Sequence, residues 1–520
     1  MENMTEREKE NSPTNNHLTV LKWNQNMCEN ISNLMGSTLG PYSMDKLFVN
    51  KEGGKILTND GAKILEFLSF YHPAAKMMVE VAKSQDFEIG DGTTSICLLA
   101  TKFLASMIEL VEYGYHPFQI NKIFKKGGIL AGYIIKKSSK KIEKNNSSVF
   151  RRVLNSCCST SLNSKLISGK RHIFSKILTE IIINLQNEFD PSLISVKTAK
   201  GGGTADSFFF SGIAIKKPFV YAGFERQKKK IYLAKILLLE IDLELQSDNA
   251  SSEAKIQKMK NYKEIIDAEW SIFFEKLDRI ILTKTNCVFS TKSIGDVATQ
   301  YFSERGVLSG GRVSIEDLSK ISVATKGEIV SSHLHIIKNA LGISNLVEEK
   351  SIGGEKFIFL SGLTRKFMTI ILRGSNNKIS QETKRSLDDG IRISSQTIKD
   401  CAFVGGAGSI EMKISNKLRK YSKTLVGPER EIMWNFSECF EIIPRTLCKN
   451  AGLDELEIIA KLRKSHQSPK SWLGVDLERG KTFDSIDNYI LEPVSLKTNI
   501  IQGSLETACT IFNIDKVLKN

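Results

Sequence analysis

Glu88-Ile89-Gly90-Asp91-Gly92-Thr93-Thr94-Ser95 runs directly into the apolar stretch Ile96 to Leu104, and the rest of the chain is read outward from it. Gly90 and Gly92 lack a Cβ, so the backbone there can turn tightly and bring its N–H groups up to an anion. Thr93, Thr94 and Ser95 add hydroxyl donors where the apolar run predicts the start of a helix. Orphan amides and the positive dipole end favour phosphate at such a position. Asp91, between the glycines, is placed to hold Mg²⁺, a hard cation usually bound by one or two carboxylates plus phosphate oxygens. The same residues also read as a plain Gly-Asp-Gly turn capped by threonines. No Gly-Lys-Ser/Thr closes the loop, so it is not a Walker A sequence.

Length and composition bound the answer. A chain of 520 residues predicts two to four domains. Hydrophobic residues at 41% and charged ones at 25% are ordinary for a soluble globular protein. The net charge of +15 comes from lysines scattered among Ile, Asn and Ser, with only short clusters such as Lys228-Lys229-Lys230. That pattern reads as solvated faces, and with no nucleic-acid motif beside it no nucleic acid is expected as a partner. The nine cysteines show no CxxC or Cys/His spacing, which argues for free thiols in a reducing compartment. Met1 to His17 is polar, carries acidic residues and reads as a flexible tail, unlike a signal or transit peptide. Ile96 to Val111 is interrupted by Lys102 and Glu109 and reads as too short to span a bilayer. The expectation is a cytoplasmic protein with no membrane partner.

Along the chain, a helical segment leads to the break Thr38-Leu39-Gly40-Pro41. Thr58-Asn59-Asp60-Gly61 is a turn signal followed by the helical pattern of Ala62, Ile64, Leu65 and Leu68, and on local grounds Asp60 is a helix N-cap. Helical periodicity covers Ile96 to Lys144, punctuated only by Pro117, and continues from Phe150 to Asn187, before Gly201-Gly202-Gly203 breaks the composition. Ile236 to Leu245 alternates like a half-buried strand. Polar residues 246–252 precede a helix with Ile256, Met259, Tyr262, Ile266 and Trp270 along one face. Arg279–Thr283 and Asn286–Phe289 read as strands, Gly295–Glu304 and Ile315–Lys320 as helices, and Met368–Leu372 as a strand. Helices return over Ser380–Thr397, Ser409–Tyr421, Pro428–Cys448 and Glu455–Ser465. Helical sequence thus brackets a strand-rich middle, which predicts an α domain made from both chain ends with an α/β domain inserted in it.

Five ordered motifs resemble the group II chaperonins of the TCP-1 family. They are Thr38-Leu39-Gly40-Pro41 with Met44-Asp45-Lys46-Leu47, Thr58-Asn59-Asp60-Gly61-Ala62, Gly90-Asp91-Gly92-Thr93-Thr94-Ser95, Leu372-Arg373-Gly374 and Gly474-Val475-Asp476. Further stretches resemble one branch of that family, the eta-type subunits of the eukaryotic cytosolic chaperonin. These are Ser164–Ser168, Tyr221–Glu225, Asp267–Trp270, Ile294–Phe302 and Glu441–Arg445. The resemblance implies a multidomain α+β chaperonin fold. A mostly α-helical equatorial ATP-binding domain would hold 1–145 and 403–520, and an α/β intermediate domain 146–214 and 371–402. An inserted α/β apical domain would hold 215–370, with a helical lid protrusion near 246–272. It also implies a subunit of an ATP-dependent hetero-oligomeric double ring, eight paralogous subunits to a ring, enclosing non-native client proteins such as actin and tubulin.

The resemblance assigns the site residue by residue. Gly40 and Pro41 would line the nucleotide, Asp91 would hold Mg²⁺, and Gly92, Thr93, Thr94 and Ser95 would bind phosphate oxygens of ATP. Asp60 and Asp389 would be the catalytic carboxylates that position and activate water, with Lys165 sensing the γ-phosphate. Gly405 and Gly406, with Gly408, would form the turn near base and ribose, and Asp476 and Glu492 the late acidic contacts there. Phosphoryl transfer needs positioning and charge neutralisation more than covalent help, so two carboxylates and Mg²⁺ suffice for an ATPase. Departures from the family pattern stand at Tyr42-Ser43, where a basic residue and glycine are usual, at Ala407, which breaks a glycine triplet, and at Ser409 and Lys384. A lost glycine strains a loop that needs positive φ. The alternative expectation is therefore a structural ring subunit that binds nucleotide with little hydrolysis.

Overall fold

Local chemistry accounts for where many elements begin. His72-Pro73 and His116-Pro117 use the same device: proline enters the first helical turn, and the preceding histidine Nδ1 accepts from the backbone N–H two residues on, at 3.1 Å and 3.2 Å. Asp60 caps its helix in the way the sequence suggests, its Oδ1 accepting from Ala62 N–H at 3.2 Å.

The computed structural model describes residues 17–49, 55–68, 70–142, 147–185, 190–219, 229–244, 259–332, 340–468 and 471–516. Most of the expected tail, the tip of the expected protrusion and the Tyr221–Glu225 motif lie outside them. In chain order come α1 (His17–Gly36), the hairpin β1 (Lys46–Val49) and β2 (Lys55–Thr58), and α2 (Gly61–Phe67). There follow α3 (Pro73–Glu88), α4 (Thr93–Glu112), α5 (Pro117–Ser138), β3 (Lys140–Lys141), α6 (Ser147–Leu162) and α7 (Arg171–Leu185). The middle supplies β4 (Ile194–Lys200), β5 (Phe208–Ser211), β6 (Ile213–Ile215), β7 (Lys230–Leu239), α8 (Met259–Leu282) and β8 (Cys287–Ser290). It continues with α9 (Asp296–Glu304), β9 (Leu308–Gly310), α10 (Ile315–Thr325), β10 (Ile329–Val330), β11 (Gly342–Ile352), β12 (Glu355–Leu363) and β13 (Met368–Gly374). The chain then returns through α11 (Asn377–Asp400), β14 (Ala402–Gly405), α12 (Ser409–Ser422), α13 (Pro428–Cys439), α14 (Ile442–Asn450) and α15 (Glu455–Ser465). It closes with β15 (Leu473–Asp476), β16 (Lys481–Asp484), β17 (Leu491–Pro493) and α16 (Val494–Phe512).

The chain forms two compact units, Met1–Ile183 with Gln381–Asn520, and Asn184–Ser380. The first is built around α4, which has α1, α3, α14 and α16 packed against it. Its apolar core includes Phe103, Phe124, Phe436 and Phe440, whose ring centroids lie 5.0 to 6.3 Å apart. At 20 residues α4 has the length and apolarity to cross a bilayer, contrary to the reading of its apolar run as too short, but most of its surface is buried in this core. The second unit holds a seven-stranded mixed sheet ordered β6-β12-β11-β7-β8-β9, with β10 beside β7. β7, β8 and β9 are parallel and joined by α8 and α9, as parallel neighbours need a crossover. A separate sheet, β4-β13-β5, completes it.

Several local expectations are corrected. Arg279–Thr283 is the end of α8 and its following turn, not a strand: Phe273, Leu277 and Ile280 fall on one helical face and bury together. The strand expected at 236–245 overlaps only the end of β7, and Ile236–Leu239 are all buried instead of alternating: Leu237 and Leu239 pack with Phe273, Leu277 and Ile280 of α8, and α10 also packs against β7. The single helix expected over 428–448 is two, α13 and α14, separated at Phe440-Glu441. The helical stretch 150–187 is interrupted at 163–170, and that interruption carries Lys165.

Candidate functional site

The N-terminus of α4 organises the site. Gly92 caps the helix at φ 81°, a left-handed conformation, and a Cβ there would come within 2.6 Å of Ile500 Cδ1. Its N–H donates to the Asp91 carboxylate at 2.7 Å, and Gln85 Nε2 donates to the Asp91 carbonyl at 2.9 Å. The second wall is the turn after α1. Gly40 has φ 85° with its Cα against Leu447, and the Asn450 side chain donates to the carbonyls of Gly36 and Leu39. The third wall is the turn between β2 and α2, where Asn59 Nδ2 donates to Ser43 Oγ at 2.6 Å and to the Ser164 carbonyl at 2.9 Å. Together these make a cleft lined by Thr38 to Gly40, Asn59 to Gly61, Asp91 to Ser95, Ser164 and Lys165.

The structure thus brings Gly40, Asp60, Asp91, Gly92, Thr93, Thr94, Ser95 and Lys165 to one cleft. Pro41 is exposed and outside its lining. Asp389, on α11, is 3% exposed and its Oδ2 accepts from Lys165 Nζ at 2.7 Å. Burial pushes the Asp389 carboxyl up to about 8, with Lys165 pulling it back and Asp60 adding to the rise. Burial disfavours the Lys165 cation, but Asp389, Asp60 and Asp91 outweigh that and hold its pKa above the usual lysine value. Asp60, Asp91, the buried Lys165 cation and a hydroxyl-lined helix N-terminus therefore share one cleft, with a third carboxylate, Asp389, bonded to Lys165.

The residues expected near base and ribose form a second cluster in the same unit. Gly406 N–H donates to the Ile490 carbonyl, and a Cβ on Gly406 would lie 2.8 Å from Glu492 Oε1. Val475 N–H donates to the Ala407 carbonyl, which sets Asp476 one residue further along β15. The Asp476 carboxylate accepts from the backbone N–H groups of Glu478 and Arg479 and so also shapes its own turn. Lys497 ties Glu492 to Glu411 at 2.5 and 2.7 Å. Residues of α14 reach both clusters, Pro444 packing on Gly408 and Leu447 on Gly40.

The sequence departures resolve differently. Tyr42 and Ser43 are not among the residues with positive φ; Gly40 carries the left-handed turn, so the lost glycine leaves no strain. Ala407 does sit at φ 53°, a conformation costing roughly 1–2 kcal/mol for a residue with a Cβ. Ser409 Oγ is buried with no hydrogen-bond partner among the described residues. Lys384 is exposed.

Sequence reasoning missed the residues that brace the site. Thr58 Oγ donates to Glu382 Oε1 at 3.0 Å, and Arg385 Nη1 donates to Glu382 Oε2 at 2.7 Å. Arg392 and Gln396 donate to the carbonyls of Asp86 and Glu88, fixing α11 against the end of α3. The available signal was spacing: Glu382, Arg385, Asp389, Arg392 and Gln396 recur at three and four residues, the stripe of one helix face.

Comparison with known proteins agrees with this architecture. The TCP-1/cpn60 chaperonin family profile matches residues 31–520. The chain is similar to "T-complex protein 1 subunit eta" of Gallus gallus, 40% identical over 513 residues, covering 98% of this chain and 93% of that one. The Arabidopsis thaliana protein of that name is 38% identical over 516 residues, with 98% and 93% covered. The Saccharomyces cerevisiae one is 37% identical over 499 residues, with 96% and 90% covered. A match of this length, on a chain in which three of the five ordered motifs supply residues to one cleft, means that the chain belongs to the TCP-1/cpn60 chaperonin family.

Proposed function

We propose that the chain is one subunit of a hetero-oligomeric ring chaperonin of the eukaryotic cytosol, built with paralogous subunits, that binds and hydrolyses Mg-ATP to drive enclosure and folding of client proteins such as actin and tubulin. In this reading the three-domain division expected from the resemblance holds, with the equatorial part carrying the nucleotide. The observation that carries it is the Lys165–Asp389 pair at 2.7 Å, set beside a cleft that contains Asp60, Asp91 and the Gly92–Ser95 helix start.

The residues present fit a nucleotide with a hard cation. Asn59 Oδ1 is a buried acceptor with no partner among the described residues, and Asp91 offers a carboxylate oxygen in the same lining. Among the described residues no group of three His, Cys, Asp or Glu gathers as a stand-alone metal site. That donor set suits Mg²⁺ held jointly with phosphates, by Asp91, better than a metal held by protein alone. When bound, Mg²⁺ supplies charge neutralisation at the phosphates. The chain's own residues do the rest. Gly92 to Ser95 bind phosphate oxygens through amides and hydroxyls, Lys165 compensates anionic charge, and Asp60 orients water. Asp389 accepts the water proton at a carboxylate oxygen, a role suited to a carboxyl whose pKa is raised.

The test is Mg²⁺-dependent ATP turnover of the purified assembly with Asp389→Ala in this subunit alone. Lower turnover in an intact ring, checked by electron microscopy, is expected. Unchanged turnover in an intact ring would refute the catalytic assignment and favour a subunit that binds nucleotide and holds the ring together.

A further inference from the structure

Thr58 closes β2 immediately before the Asn59-Asp60-Gly61 turn and is fully buried. Its hydroxyl oxygen accepts from the Asp60 backbone N–H at 3.2 Å and from Arg385 Nη1 at 3.4 Å. With two N–H groups aimed at the oxygen, its single proton goes to Glu382 Oε1, 3.0 Å away. Glu382 is itself 5% exposed, and its other oxygen takes Arg385 Nη1 at 2.7 Å. A buried carboxylate with both oxygens engaged is a rigid anchor, because releasing either bond leaves a desolvated polar group unpaired.

The anchor lies on the helix that carries Asp389. Seven residues separate Glu382 from Asp389 along α11, two turns, so both project from nearly the same face about 10 Å apart. Fixing Glu382 on Thr58 fixes the rotation and height of that face. The same Thr58 oxygen holds the backbone N–H of Asp60. One hydroxyl therefore touches both elements that bear the two carboxylates of the site.

We propose that Thr58, Glu382 and Arg385 are positioning residues that set the separation of Asp60 and Asp389 for water attack on the nucleotide. The proposal rests on the hydrolytic reading of that pair. It predicts that the Thr58 hydroxyl matters for the rate of hydrolysis and little for nucleotide binding, because none of the three residues lies in the cleft lining.

The experiment uses the assembled complex carrying Thr58→Val, Thr58→Ser, Glu382→Gln or Asp389→Ala in this chain only. Photo-crosslinkable azido-ATP labelled in the α or the γ position reads this subunit by itself. The α label reports binding, and loss of γ relative to α reports hydrolysis. Thr58→Val should keep α labelling within about two-fold and slow γ loss about ten- to a hundred-fold, the scale of a small misplacement of catalytic groups. Thr58→Ser should restore the rate. Glu382→Gln keeps the acceptor for Thr58 and weakens the Arg385 pair, and should slow hydrolysis by a smaller factor; it also serves if Thr58→Val does not assemble. Wild-type γ loss in Thr58→Val, or Thr58→Ser no better than Thr58→Val, overturns the proposal while Asp389→Ala remains slow. If Asp389→Ala also hydrolyses at the wild-type rate, the hydrolytic reading falls, and the positioning role falls with it.

Discussion

Gly92→Ala tests the geometry of the α4 start with a number attached. Gly92 has φ 81°, and an added Cβ would meet Ile500 Cδ1 at 2.6 Å and Leu496 Cδ1 at 3.1 Å. The backbone term is about 1–2 kcal/mol for a Cβ in the left-handed region. The steric term is that of overpacking a filled core, about 1–3 kcal/mol, because Leu496 and Ile500 are 4% and 3% exposed and belong to the core around α4. The sum is about 2–5 kcal/mol. Gly114→Ala separates the terms: φ is 91°, yet nothing lies within 4 Å of its Cβ position, so only the backbone cost applies. Urea unfolding of the purified chain, with both variants compared with wild type, should place Gly114→Ala about 1–2 kcal/mol below wild type. Gly92→Ala should fall lower still by about 1–3 kcal/mol. Equal losses would refute the packing argument, and no loss in either variant would refute the backbone one.

Three further outcomes are expected. Because Asp389 must be ionised to take a proton and burial raises its carboxyl to about 8, kcat/KM for ATP should climb with pH through that region, with no such rise in Asp389→Asn. Glu441 is 1% exposed and receives Arg419, Arg445 and Arg463; burial alone would raise its carboxyl, but the three guanidiniums hold it below the usual range. A depressed folded-state pKa contributes stability above the unfolded value that is lost as pH falls, so Glu441→Gln should lose about 3–5 kcal/mol near neutrality and show a flatter acid-unfolding limb. Mg-ATP at a hundred times its Kd should add about 2.7 kcal/mol to the unit of residues 1–183 and 381–520. Hydrogen exchange would detect that as slowed exchange in α4; protection confined to 184–380 would contradict the site.

The turn and helix start at Gly90–Ser95 were legible in the sequence because they are local. Gly90 to Ser95 is one turn followed by one helix start, and Asp60 is an N-cap readable from Asn-Asp-Gly. The nested division was legible too, since helical periodicity changes to strand-like runs and back. What could not be read was burial that depends on distant neighbours. The end of β7 reads as half-buried from alternation alone, whereas side chains of α8, distant in sequence, pack on Leu237 and Leu239, and α10 packs against the strand as well. The tail of α8 looked like a strand because a short apolar run has no period of its own. Lys165 looked like any lysine, since its identity as a buried cation depends on Asp389, 224 residues away.

That separation bears on how the site works. The bonds that define it join residues 324 apart at Thr58 and Glu382, 224 apart at Lys165 and Asp389, and 411 apart at Asn450 and Leu39. Contacts of such length are gained only after the intervening chain is ordered, because loop-closure entropy precedes the reward. A cleft made from one local segment would bind phosphate with only its own turn in place. Here the turn at Gly90–Ser95 is local, but Lys165 and Asp389, to which the proposed function gives charge compensation and proton acceptance, arrive from elsewhere. On the proposed function, binding and hydrolysis therefore have different structural requirements. Displacing α11 by a helical turn, about 5 Å, would leave Gly92 to Ser95 intact and remove Asp389 from Lys165. A chain arranged this way can hold nucleotide in more than one conformation and hydrolyse it in only one of them, which is the physical basis for coupling turnover to a change of shape.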